Sequence, residues 1–172
     1  MTNTQVEQPF WQRKSLNEMS QVEWESLCDG CGKCCLNKFI DDQTTDESTD
    51  LLSTDHVNEG EQIYYSNIAC HLLNEKSCQC IKYEERTKLV PECVRLTPDN
   101  VDAVFLMPPS CTYRRLQDGR GIPSWHPLLH KGKKTVMHKA GMSVRGKIIK
   151  DSEVSITHYE NHIVTWPLDD LD

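Results

Sequence analysis

The sequence predicts an α+β fold, a small loop-rich single domain built around a cysteine-rich metal site. Three observations lead there. Capping signals and apolar spacing mark several short helices, β-branched and aromatic runs mark short strands between them, and nine cysteines stand in a chain that is only 37% hydrophobic. A chain of 172 residues is long enough for one domain with its own core. With 7% aromatic residues that core is thin, so something besides apolar burial is expected to hold the fold, and the thiols are the available supply.

The elements follow in chain order, within a single domain over 1–172. "PFWQRKSLNEMSQVEWESL" reads as an N-terminal helical segment over 9–27. Within it, Ser20 and Glu23 have the capping-box spacing, and Trp24 and Leu27 share one face. The helix is expected to stop at "DG", where Gly30 can take the positive φ of a C-terminal cap. The cysteine-rich metal-binding core covers 28–111. There, "LNKFIDD" and "EQIYYSNIACHLLN" suggest a hairpin or two short strands, and the acidic "DDQTTDESTD" at 41–50 reads as a solvated loop or hairpin tip. "KYEERTKLV" reads as a helix that stops before Pro91, and "TPDNVDAVFL" opens with Thr97 as cap and Pro98 at the first helical position. A basic C-terminal segment, 112–150, follows a short helical turn in "SCTYRRLQ", and a tail covers 151–172. "SVRGKIIKDSEVSITHYENHIVTW" has strand-like β-branched content.

No run approaches the ~18 apolar residues of a membrane span, so no membrane association is expected. The opening "MTNTQVEQPFWQRKS" lacks the apolar stretch and cleavage site of a signal peptide, which predicts a cytoplasmic protein with reduced thiols. Nine cysteines also cannot pair completely, against a disulfide framework. The net charge of −7 hides an asymmetry: from Thr112 to Lys150 there are ten Lys/Arg against the single acid Asp118. This basic half is expected to meet the acidic half of the same chain rather than nucleic acid, whose binders usually carry a net basic domain.

"CDGCGKCC", residues 28–35, carries the chemistry. Cys28, Cys31 and Cys34 have C-x2-C-x2-C spacing, and Cys35 follows directly. One turn of backbone can then aim sulfurs at a common point while its amides donate to them, and Gly30 and Gly32 permit the tight curl. A thioredoxin-like redox pair wants a βαβ context, which is absent, and neighbouring cysteines do not readily bridge each other. Metal binding is the better reading. The candidate ligands are Cys28, Cys31, Cys34, Cys35, Cys70, Cys78, Cys80 and Cys93, and Cys111, His126 and His138 are left open.

Zinc and an iron–sulfur cluster both suit thiolates. "CDGCGK" is similar to a zinc-ribbon knuckle, whereas three cysteines in one C-x2-C-x2-C run can wrap three corners of a cubane, with Cys70, Cys80 or Cys93 closing it. The spacing leans slightly to iron–sulfur. Nine thiols could also serve two centres, with Cys34 and Cys35 pointing apart. The pairs His126/His130 and His158/His162 have H-x3-H spacing, but Pro127 interrupts the first and strand-like sequence holds the second, so these histidines read as structural or surface residues. Tyr83 and Arg86 are expected to pack beside the cysteine loop, and Trp24, Trp125 and Trp166 to be core or rim aromatics.

"EWESLCDGCGKCC", "ACHLLNEKSCQC", "YEER", "PECVRLTP", "CTYRRL" and "WHPL" closely resemble the YcgN-like bacterial proteins of the wider CxxCxxCC, or YkgJ-like, group of zinc- or iron-chelating proteins. The resemblance runs from about Phe10 to about Val154. Where that group usually places a proline and an earlier cysteine, this chain has Thr87, with Cys93 three residues late, which favours the YcgN-like branch. The resemblance implies a ligand set more than a reaction. One branch contains flagellin lysine methylases, but this chain shows no separate domain for such chemistry.

No dinucleotide-binding glycine pattern and no nucleophile elbow appear. Three classes of function remain. The first is a metal-binding protein holding iron–sulfur or zinc, the second an iron–sulfur oxidoreductase or protein-modifying enzyme component, the third a metal-stabilised interaction module whose basic segment meets a partner, a protein or, less expected, nucleic acid.

Overall fold

Two serines decide how the N-terminal segment folds. Ser20 accepts from the Glu23 backbone N–H at 3.3 Å while the Glu23 carboxylate accepts from the Ser20 N–H at 2.8 Å, the capping box expected from the sequence. Ser15 and Glu18 form a second box that the sequence reading missed. Each box starts a new helix, so the single segment expected over 9–27 is broken into α1 (Phe10–Arg13), a 3-10 turn (Leu16–Glu18) and α2 (Gln21–Ser26), with Lys14 and Met19 extended between them. Helix α2 ends with Leu27 as its C-cap, ahead of Gly30, whose φ of +67° instead shapes the cysteine loop.

The computed structural model describes residues 8–41 and 62–172. The loop or hairpin tip expected at 41–50 lies, beyond Asp41, outside the described residues. Strand β1 (Leu36–Asp41) pairs antiparallel with β2 (Gln62–Ala69), Leu36 opposite Ala69 and Lys38 opposite Tyr65, with a bulge between Leu36 and Lys38. A hairpin of β3 (Leu73–Asn74) and β4 (Gln79–Cys80) follows. Then come a 3-10 turn with α3 (Arg86–Leu89), a 3-10 helix over Pro98–Leu106 capped by Thr97, α4 (Thr112–Gln117) and α5 (Thr135–Lys139).

The C-terminal stretch differs from its strand-like reading. Only β5 (Ile149–Lys150) and β6 (Ile163–Val164) are strands, and 3-10 turns fill Asp151–Glu153 and Ile156–His162. The Glu153 carboxylate accepts from the Lys150 N–H at 3.0 Å and turns the chain off the sheet after two residues. Both short strands add to β2, β5 in parallel and β6 antiparallel, so β2 is the spine of the sheet. Short helices and a mostly antiparallel sheet make the fold α+β.

The core is split into three small clusters. Leu16, Met19, Trp24, Leu27, Val104 and Tyr113 form one; Leu36, Tyr65, Ala69, Leu73, Cys78 and Val144 a second; Cys31, Trp125, Met137 and Met142 a third. The cysteine loop enters from Leu27, contributes Cys31 and leaves through Leu36, so it lies where all three meet. Among the described residues, no helix is long and apolar enough to cross a membrane.

Candidate metal centre

The end of α2 delivers Cys28, and the left-handed glycines fold the chain back over it. Gly30 has φ +67° and Gly32 φ +82°, and a Cβ on Gly32 would lie 2.8 Å from Val144 Cγ2. Asp29 braces the turn: its Oδ1 accepts from the Cys31 N–H at 2.8 Å. The Val144 N–H donates to the Cys31 carbonyl at 3.0 Å and fixes the loop against the second cluster. Lys33, fully buried, donates from Nζ to Ser110 Oγ at 2.9 Å and to the carbonyls of Pro167 and Asp169 at 3.2 and 3.3 Å. The loop is therefore latched to α4's approach and to the C-terminal stretch.

This brings Cys28, Cys31, Cys34 and Cys111 into one neighbourhood with Asp29. Burial raises the thiols of Cys28 and Cys31, and the negative charges of Asp29 and Cys34 raise them further. Burial likewise pushes Cys111 up to about 12, with Asp29 and Cys34 adding to it. Cys28 and Cys34 nonetheless reach the surface, whereas Cys31 is buried, so the group is crowded by protein yet open to solvent. Backbone amides oppose burial: Gly30 N–H serves Cys28, Lys33 N–H serves Cys31, and Arg114 and Tyr113 N–H groups serve Cys111. Amides aimed at sulfur favour the thiolate, which is the form that binds metal.

Three buried side-chain polar atoms among the described residues have no hydrogen-bond partner, and all three border this site. Asp29 Oδ2 belongs to the loop itself, Thr112 Oγ1 follows Cys111, and Trp125, with Nε1 unpaired, packs with Cys31. Buried polar atoms are ordinarily bonded. One acceptor and two donors left open around buried thiols fit a site whose remaining partner is a bound group, and the sulfur-rich donor set fits zinc or iron.

A second group of thiols adjoins the first. Cys35 donates to Cys34, which holds Cys34 down to about 7 and Cys35 up. Cys35 senses Cys70, and Cys93 senses Cys34, Cys70 and Cys80. Lys38, half-buried on β1, is beside Cys34, Cys35, Cys93 and Cys111, and its Nζ donates to the Cys34 carbonyl at 2.9 Å. It is a cation beside thiols of both groups. Arg86 lies over the Tyr83 ring at 3.7 Å and near Cys93. Tyr83 in turn donates to Glu25 at 2.8 Å.

Cys78 packs against the loop at Gly32, where an added Cβ would lie 3.5 Å from its own, within the second core cluster. It is buried with Leu36, Leu73 and Val144, and its nearest polar partner is the Glu75 carbonyl at 3.9 Å. His126 Nδ1 accepts from the Leu128 N–H at 3.1 Å and its Nε2 donates to the Leu27 carbonyl at 3.0 Å, which occupies both ring nitrogens. His138 bonds Ser143 Oγ at 2.7 Å. His158 and His162 lie in the 3-10 turn Ile156–His162, not in a strand. Sequence reasoning passed over Asp29, Lys33 and Lys38. An aspartate two residues before a cysteine amide is an Asx-turn signal that could have found the first.

A thiol-rich group with amides turned to its sulfurs defines a metal-binding domain, and comparison with known sequences gives the same class. A family model described as "CxxCxxCC: Putative zinc- or iron-chelating domain" matches residues 27–112. The chain is 52% identical to a "UPF0260 protein" of Shewanella denitrificans over 163 residues, covering 95% of this chain and 99% of that one. It is 50% and 48% identical, with the same coverage, to "UPF0260 protein" sequences of Shewanella oneidensis and Shewanella amazonensis. The chain belongs to this CxxCxxCC family. No solved structure matches it.

Proposed function

We propose that the protein holds an iron–sulfur cluster at Cys28, Cys31, Cys34 and Cys111. The observation that carries this reading is the convergence of the C-x2-C-x2-C loop and Cys111 on one neighbourhood, with Cys31 buried, Cys28 and Cys34 reaching the surface, and amides aimed at the sulfurs. The sequence expected Cys70, Cys80 or Cys93 as the remote ligand; Cys111 is the one whose thiol is raised by both Asp29 and Cys34. Four thiolates on one zinc at a bond length of about 2.3 Å stand only ~3.8 Å apart. Among the described residues, no three of these four thiols lie within 4.8 Å of one another, which supports the wider frame of a cluster over a single ion. A cubane takes wider spacing.

A bound cluster would supply one-electron transfer, and the open side at Cys28 and Cys34 gives a protein partner access to it. Zinc at the same thiols is the second reading, favoured by the knuckle-like Gly30 and Gly32 turns. The basic segment argues against a nucleic-acid role. Arg115 pairs with Asp170 at 2.6 Å, Arg120 also pairs with Asp170, and Arg114, Lys134, Arg145, Lys147 and Lys150 donate to backbone carbonyls.

Iron, zinc and acid-labile sulfide should be counted in anaerobically purified protein, together with its visible absorbance. Broad absorbance near ~400 nm with iron and sulfide in equal amounts is expected. Cys28→Ser, Cys31→Ser, Cys34→Ser and Cys111→Ser should each lose it. Colourless protein carrying zinc alone overturns the cluster, and full metal in all four variants overturns the site.

A further inference from the structure

We propose that Cys70, His71 and Asp151 form a second, mononuclear site for a divalent ion of zinc's type. The sheet builds it. Parallel pairing of β2 with β5 sets Ile68 opposite Ile149 and Ala69 opposite Lys150, so the residues that follow both strands come side by side. The Cys70 sulfur, a His71 ring nitrogen and an Asp151 carboxylate oxygen lie within 4.8 Å of one another. His71 Nδ1 is 3.1 Å from Asp151 Oδ2, and the His71 backbone N–H donates to the same oxygen at 3.1 Å.

The donor set has a definite chemical preference. One thiolate, one imidazole and one carboxylate is a borderline-soft combination that suits zinc, and three protein ligands leave a fourth position for water or a substrate atom. Bonds of about 2.0–2.3 Å place tetrahedral donors ~3.5 Å apart, so His71 Nδ1 and Asp151 Oδ2 at 3.1 Å are near enough already and the closure needed is chiefly that of the Cys70 sulfur. Burial raises the Cys70 thiol, and the Leu72 N–H turned to its sulfur works against that. Lys150 Nζ is engaged with the carbonyls of Leu73 and His71, which leaves the Asp151 carboxylate without a lysine partner. The His71 side chain is 51% exposed and that of Asp151 24%, so an ion can enter from solvent. Asp151 also lies outside the residues that the family model matches. The site stands independently of the cluster proposed above, and assigns Cys70 to an ion of its own.

Cobalt(II) is the probe, titrated into anaerobically purified full-length protein, with iron and zinc counted separately. The wild type should show a thiolate-to-cobalt charge-transfer band at one equivalent per chain. His71→Gln, Asp151→Asn and Cys70→Ser should abolish it, remove one equivalent of divalent metal, and leave iron and melting temperature close to wild type. Cys28→Ser should lose iron and keep the cobalt band. A band that survives in both His71→Gln and Asp151→Asn overturns the site, leaving an ordinary ion pair, as does its absence from the wild type. A band that Cys28→Ser abolishes and His71→Gln keeps places cobalt in the cysteine loop and overturns the site as well. Iron retained in Cys28→Ser bears on the cluster proposal alone.

Discussion

Asp29 is the residue with the most to do in the smallest space: one oxygen braces the Cys31 amide and the other is buried without a partner among thiols. Asp29→Asn keeps the brace and removes the charge. With the proposed iron–sulfur cluster bound, the expected outcome is a folded protein with a higher reduction potential, read by potentiometric titration, because potential rises as net negative charge falls. Gly32→Ala should destabilise by ~2 kcal/mol in chemical denaturation, since its Cβ would meet Val144 at 2.8 Å on a backbone at φ +82°. Cys78→Ala should keep full metal content and lower the melting temperature, because that thiol is part of the second cluster. The cysteine run is legible in sequence because its spacing is local. Cys111, Lys33 and Lys38 are not, because their roles depend on contacts that only the folded chain makes, such as Lys33 with Ser110 and Asp169.

At the scale of the element, capping chemistry was readable and strand length was not. The Ser20–Glu23 and Thr97–Pro98 signals hold, since a cap needs only neighbours three residues away. The β-branched C-terminal stretch misleads because Ile and Val serve two-residue strands and 3-10 turns equally well there, and the choice is made by room beside β2. The Glu23 box also sets an acid limit for α2. The Lys14 ammonium, 2.7 Å away, and then the Ser20 amide hold the Glu23 carboxyl down to about 2, below its ordinary 4.5. A depressed acid stabilises the fold fully above the unfolded value and loses that contribution as pH falls through the folded one. Glu23→Gln should therefore melt earlier than wild type at neutral pH, and the gap should close between about pH 4.5 and 2. A gap that persists at pH 2 would assign the effect to packing instead of charge.

For the whole molecule, three small clusters meet at one loop, so a metal held by the proposed site would tie all three together. Chelation at neutral pH should loosen all three together, because binding free energy at such a site is folding free energy. Circular dichroism and thermal melting of the stripped protein read this directly; an unchanged melt after complete metal loss would show that the clusters stand without it. The thin core and the α+β class could be read from composition and element length. The convergence of β1, β5 and β6 on β2 could not, because two-residue strands leave no pattern. The latch from Lys33 to the Pro167 and Asp169 carbonyls spans 134 and 136 residues of chain. At roughly 5–20 residues per second of synthesis, Lys33 waits on the order of ten seconds for its partners to leave the ribosome. During that interval the nascent chain carries its first cysteines on an unlatched loop, so rigid capture of a metal at the proposed site is expected only after the C-terminal stretch has emerged.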